Sequence, residues 1–406
     1  FIGSCAICWV VFAAILLGVL SYVGWLQVSR AQEDDSWHSA SVKPPDFPRY
    51  MGCGGCLSGN KSDDEIKRCV EPCFSLDFVR AWEQFATEQP WSLVYFPSRA
   101  GPNGEDSVKI SAWWLPADPK RVPKGKVAPR IVVQHGMGSN ANHCGVQATC
   151  YLLRTIGFSC LTPSVRDYGL SGKSTHPKVT TWGYDYQFDV LGAWDYAVSD
   201  PDHILGGSLS DDQVGIMGFS RGALDAANAF GIEQRIRAAW IDSAPYTGLY
   251  GMIDSFVRPY AGFLTPLLRS VVWQSAHLFS GGMVDTSLPL KLLVKCQRPA
   301  RWLAVSQGMQ DGMVTVAEGS SAVRFLSGLN GCYNVFSYNP PANCFGDTHH
   351  TYMWVFPDDA RAKFCDFWSA AFRQDPKTCG LDELQKLQRV NPEDNVPVLP
   401  WYAHLP

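Results

Sequence analysis

Charge is scarce in this sequence of 406 residues. Charged side chains make up 18% of it, the formal net charge is −4, and no block of like charge occurs. A basic face for nucleic acid is therefore excluded, and small-molecule or acyl substrates remain. No internal repeat and no low-complexity tract is found, which excludes a repeat array or a mainly disordered chain. Hydrophobic residues reach 46%, enough for a sizeable core.

The absence of charge is complete from Phe1 to Ser29. Within that stretch, Cys5 to Val28 is long enough to cross a bilayer as a helix, which needs about 20 apolar residues. Tyr22 and Trp25 suit an interfacial belt. The apolar core of a cleaved signal peptide is usually only about 7–15 residues, and a buried core helix would show a polar face. Residues 1–29 are thus expected to be a transmembrane anchor.

Cysteine is not scarce. Of fourteen, Cys5 and Cys8 lie in the apolar run and the rest follow it. That frequency suits a lumenal or extracellular domain better than a cytosolic one. The sequon Asn60-Lys61-Ser62 is compatible with the same side. Cys53, Cys56, Cys69 and Cys73 could bind zinc, but beside an anchor disulfides are the better reading, so no metal and no cofactor is expected. Residues 30–90 form a linker and Cys-rich segment, 91–375 the main domain, and 376–406 a C-terminal tail.

From residue 91 the pattern changes. WSLVYF and SVKISAWWLP flank the turn GPNGED and predict a hairpin. Short apolar runs follow at 130–134, 158–164, 213–219, 238–244, 301–307 and 332–339. Helical stretches lie near 144–156, 181–198, 221–231 and 358–373. This alternation predicts an α/β fold with a mostly parallel central sheet and helices on both faces.

Gly218-Phe219-Ser220-Arg221-Gly222 fits the pattern G-x-S-x-G between a strand and a helix start. A serine nucleophile there needs a tight turn, and glycines relieve the crowding. The pattern alone arises by chance about a fifth of the time in a chain this rich in glycine, so the context carries the argument. Serine attack on an acyl carbon creates an oxyanion that needs fixed N–H donors. The amides of Arg221 and of Met137, in the loop His135-Gly136-Met137-Gly138 after a strand, are the candidates. His135 itself reads as a structural residue. The acid and base should follow in the order Ser, Asp, His. Asp311 stands on the loop after the strand RWLAVSQ. Gly346-Asp347-Thr348-His349-His350 follows the next strand, and either histidine could take the serine proton. Asp347 is too close in sequence to its histidine for the usual bridge between strands.

Taken together, HGMGSN, VRDYGLSG, TWGYDYQFDVLGAWDYAV, GFSRGA, AAWIDSAPY, VSQGMQDGMV and GDTHH resemble the α/β-hydrolase fold, in the single-domain subgroup related to prolyl oligopeptidases that includes membrane-anchored acyl hydrolases. The resemblance covers about residues 92–373. It implies a triad of Ser220, Asp311 and His349, with His350 as the alternative base, and an oxyanion hole from Met137 and Arg221. Ser164, where the family usually has an acidic residue, and Arg221, where a smaller residue is commoner, depart from it.

An apolar insertion at about 246–292 is expected to form a helical cap. Its Phe256, Phe263, Trp273 and Phe279 would line an acyl pocket or form the cap's own core. The expected function is a membrane-anchored serine esterase, lipase or thioesterase acting on an apolar acyl ester. Its partners would be that substrate and the membrane, with no nucleic acid. A peptidase of the same fold is the alternative, disfavoured because the propeller gate of that group is not seen; a scaffold that kept the fold but lost turnover is another. A disulfide between Cys332 and Cys344 is expected to stiffen the histidine loop.

Overall fold

The computed structural model describes residues 91–340 and 356–390, apart from 103–105, 178, 284–288, 299 and 382–387, together with isolated residues 18, 62, 78, 81, 84 and 85. The expected anchor, the four clustered cysteines and the histidine loop lie outside the described residues. Among the described residues, no helix is long and apolar enough to cross a membrane.

Nine strands form one sheet: β1 (Ser92–Pro97), β2 (Lys109–Leu115), β3 (Arg130–Gln134), β4 (Ser159–Pro163), β5 (Val214–Phe219), β6 (Ala238–Asp242), β7 (Arg301–Ser306), β8 (Tyr333–Tyr338) and β9 (Gln388–Arg389). Their spatial order is β1-β2-β4-β3-β5-β6-β7-β8-β9. The hairpin β1–β2 and the pair β2–β4 are antiparallel, β4 through β8 run parallel, and β9 closes the edge antiparallel.

The helices are α1 (Cys144–Thr155), α2 (Tyr186–Ser199), α3 (Arg221–Ile232), α4 (Gly248–Ala261), α5 (Thr265–Phe279), α6 (Pro289–Leu293), α7 (Val316–Ser327) and α8 (Pro357–Phe372). The sheet is buried on both faces, so the middles of its central strands are apolar and alternation decides only which face each side chain serves. Ile131, Val133, Met217, Trp240 and Ala304 pack on one side with α1 and α8, notably Phe364, Phe367 and Trp368. Val132, Ile216, Ala239, Ile241, Leu303 and Val305 pack on the other, against α2, α3, α6 and α7. Burying one such aliphatic side chain stabilises the fold by about 1.5–3 kcal/mol.

The expected strands are found, with ends shifted by a residue or two. The helix expected near 181–198 starts only at Tyr186, because residues 181–185 form a bonded turn in which Thr181 Oγ1 donates to Asp185 Oδ1. Helix α7 was not foreseen, since Gly319, Ser320 and Ser321 weaken its propensity. A capping signature marks its start: Thr315 Oγ1 accepts from the Glu318 amide. Strand β9 falls in what the sequence suggests is a surface tail.

Two disulfides join described cysteines, Cys296–Cys332 and Cys365–Cys379. The first corrects the expected Cys332–Cys344 bridge. Cys296 lies just beyond α6, and its 36-residue separation from Cys332 ties that end of the insertion to the start of β8. Cys150 and Cys160 are buried free thiols, so the even cysteine count does not translate into complete pairing.

Candidate active site

Parallel strands deliver their following loops to one edge. Here the register makes this quantitative. Gln134 is level with Gly218, Phe219 with Asp242, Asp242 with Ser306, and Ser306 with Tyr338. The loops after β3, β5, β6, β7 and β8 therefore leave the sheet at one height, and neighbouring strands are about 4.8 Å apart. Met137, Ser220 and Asp311 come from three of these loops. His349 and His350 follow β8 but lie outside the described residues, as does Asp347.

Ser220 sits on the sharp turn between β5 and α3 with φ 55° and ψ −124°. A serine in that region is strained and persists only where its surroundings fix it. Its amide donates to the Asp242 carbonyl at 2.9 Å, and its carbonyl accepts from the Ala223 amide at 2.9 Å. The two flanking glycines are sterically required. A Cβ on Gly222 would lie 2.0 Å from the His135 carbonyl oxygen, and one on Gly218 would lie 2.2 Å from the Gly222 carbonyl oxygen. Across the turn, a Cβ on Gly136 would be 3.4 Å from the Ser220 Cβ, so the loop after β3 abuts the serine. No hydrogen bond to another described residue occupies the Met137 or Arg221 amide.

His135 is fully buried. Its Nε2 accepts from the Val165 amide at 3.2 Å, which places the proton on Nδ1, 2.8 Å from the Gly136 carbonyl. Burial, reinforced by the charge on Arg221, pushes its pKa down to about 3. It braces the loop, the structural role the sequence suggested, and burial keeps it neutral. Ser164 braces the same loop: its Oγ accepts from the Ala141 amide at 3.0 Å.

Asp311 is held from two sides. Its Oδ1 accepts from the Met313 and Val314 amides, each at 2.9 Å, and its Oδ2 accepts from Gln307 Nε2 at 2.8 Å. These bonds orient the carboxylate on its loop.

Five side-chain contacts near the site are not expected from the sequence. Arg221 is completely buried 3.4 Å from Asp225, and its guanidinium lies 4.2 Å from the Tyr186 ring centre. Burial pushes the Asp225 carboxyl up to about 7 against the pull of Arg221. Arg166 pairs with Asp189 at 2.7 Å, and His176 Nε2 meets Asp185 at 2.8 Å. On the cap side, Glu318 Oε1 accepts from the Thr247 amide at 2.9 Å and its hydroxyl at 2.7 Å. Burial raises Glu318 to about 7 despite those two bonds. At the end of β6, Asp242 accepts a hydrogen bond from Ser306 Oγ. The i,i+4 spacing of Arg221 and Asp225 is a usable sequence signal for their pair. The other contacts join residues 9 to 71 positions apart and leave no such signal.

The insertion after β6 forms α4 and α5. Their partly buried Val257, Val272 and Trp273 pack with Met137, Trp182, Leu224 and Leu249. Trp273 thus shares an apolar cluster with Met137, of the loop after β3, and Leu224, of α3. Phe263 does not: it is 90% exposed and points away, which corrects its expected place in a pocket or core. Phe279 is half-exposed. The Phe256 side chain is outside the described residues.

The strand order, the elbow after β5 and the carboxylate loop after β7 together define an α/β-hydrolase fold. No protein-family model matches the chain. Dipeptidyl peptidase family member 6 of Caenorhabditis elegans is 24% identical over 213 residues, which are 52% of this chain and 26% of that protein. The chain therefore spans about a quarter of that relative's length. Among solved structures, the Pyrococcus furiosus esterase Pf2001 is similar at 18% identity, covering 77% of this chain and 94% of its own, with a TM-score of 0.47. The Pyrococcus horikoshii acylaminoacyl peptidase is similar at 12% identity, covering 73% and 45%, with a TM-score of 0.48.

Proposed function

We propose that the chain is a serine hydrolase that cleaves an ester or thioester through an acyl-enzyme on Ser220. The observation that carries this reading is the strained Ser220 turn, walled by two obligatory glycines and abutted by the loop that bears Met137. A backbone strain of this kind costs about 1–3 kcal/mol and is retained where it serves a function. In the proposed reaction the Ser220 hydroxyl attacks the acyl carbon while His349, or alternatively His350, takes its proton. Asp311 orients that imidazole and balances its charge. The Met137 and Arg221 amides receive the oxyanion. The imidazolium then returns the proton to the leaving alcohol or thiol, and water reverses the sequence to release the acid.

The uncharged run from Cys5 to Val28 would anchor the enzyme in a bilayer. The disulfides Cys296–Cys332 and Cys365–Cys379 favour a lumenal or extracellular position for the domain. The expected substrate is an acyl ester with an apolar chain. A peptidase is the second reading, favoured by the curated relative described as a dipeptidyl peptidase.

A fluorophosphonate probe tests the proposal. Wild-type protein should be labelled, and Ser220→Ala should not. No labelling of folded wild-type protein, or undiminished labelling of the variant, overturns it. A panel of short and long acyl esters, thioesters and dipeptide amides then separates the readings, and strict preference for amides would select the peptidase.

A further inference from the structure

The insertion after β6 has two unlike faces. Its inner face joins one apolar cluster with Met137 of the loop after β3 and Leu224 of α3. Its outer face carries the three most exposed large apolar side chains of the described residues, Phe263, Leu278 and Leu267. Phe263 is 90% exposed, Leu278 75%, Leu267 59% and Leu264 45%. Phe263 and Leu264 form the turn between α4 and α5, and Leu267 lies in the first turn of α5. Leu278 follows Leu267 by eleven positions, about three helical turns, so the two share one face about 16 Å apart along the axis. The opposite face of α5 buries Thr265 and Ala276. A stripe of this kind on the outside of a folded domain marks an interaction surface.

The charge pattern selects the occupant. No Asp or Glu occurs from Ser255 to Val284, and Arg258, its side chain 71% exposed, precedes the turn at Phe263–Leu264. Arg258 and Arg269 both pair with Asp254, at the inner end of the stretch. Exposed apolar side chains at a tip, with no carboxylate over residues 255–284 and the exposed Arg258 before the turn, match the acyl boundary and headgroup layer of a phospholipid surface. The same chain contains the apolar run from Cys5 to Val28.

We infer that the outer face of α5 and the turn at Phe263–Leu264 dip into a phospholipid surface. The inference rests on the membrane reading of the 5–28 run and extends it. Contact through the cap would bring the edge of the sheet that carries Ser220 next to the lipid, where acyl esters partition. The enzyme would then take its substrate from the bilayer rather than from water.

Photolabelling tests the surface independently of turnover. The full chain is reconstituted into phosphatidylcholine vesicles containing phosphatidylserine and a diazirine-bearing phosphatidylcholine, illuminated, and mapped by peptide mass spectrometry. Labels are expected within 262–279 and within 5–28. The variant Phe263→Ser/Leu267→Ser/Leu278→Ser should lose the first and keep the second; these side chains are exposed, so the fold should survive. Labels in 262–279 without labels in 5–28 would support the cap surface and overturn the anchor. Labels in 5–28 alone would overturn the cap surface, as would crosslinking of 262–279 to a second copy of the chain in its place. Labels at neither would overturn both.

Discussion

Replacing Arg221 by methionine leaves a carboxylate without its counter-charge. Both Arg221 and Asp225 are fully buried, 3.4 Å apart. None of the guanidinium nitrogens and neither carboxylate oxygen makes a hydrogen bond, so the attraction between the two charges and the Tyr186 ring face are what offset their desolvation. Breaking a buried pair by deleting one partner costs about 3–5 kcal/mol, while replacing both with apolar groups is often neutral or stabilising. Arg221→Met alone should therefore lower stability by about 3–5 kcal/mol at about pH 8.5, where the carboxyl, held up to about 7 in the fold, is ionised. For a large domain that corresponds to a melting point lower by roughly 6–20 °C. Arg221→Met/Asp225→Leu should regain most of the loss. Urea denaturation of the parent, both single variants and the double variant completes the cycle. A single variant within about 1 kcal/mol of the parent, or a double variant as unstable as the sum of the singles, would refute the reasoning.

Two further outcomes follow from the same contacts. Gly222→Ala places a methyl 2.0 Å from the His135 carbonyl oxygen, against backbone that cannot swing away. It should cost at least about 1–3 kcal/mol and abolish fluorophosphonate labelling, and a soluble, labelled variant would contradict the packing. Glu318 has a folded pKa of about 7 against an ordinary value of 4.5. The folded carboxyl thus keeps its proton when the unfolded one has lost it, and its contribution to stability falls as pH rises through that window. Relative to the parent, Glu318→Gln should gain up to about 3 kcal/mol between pH 4.5 and 7 and then level off. A difference that is flat with pH, or of opposite sign, would show that this carboxyl is not buried in neutral form.

Much of the fold was legible because local rules agree. Apolar runs too short for helices alternated with helical stretches, and the strand ends came within a residue or two of those observed. The exceptions are informative. Helix α7 hid behind its Gly-Ser-Ser interior, although Thr315 and Glu318 spelled its start. Strand β9 is two residues long and exists only because β8 offers an edge. The Cys332 partner could not be read, since four or more cysteines leave several pairings open and only the packing of α6 near β8 brings Cys296 within reach.

Sequence alone determined the elbow, the loops that carry Met137, Ser220 and Asp311, and the structural role of His135, because each depends on residues close together in the chain. Only the tertiary structure decided that Arg221 would be buried against Asp225 and Tyr186, that Glu318 would meet Thr247, and that Phe263 would face outward. Those outcomes depend on which helix covers which face of the sheet. Burial then sets the proton affinities that a linear pattern does not contain.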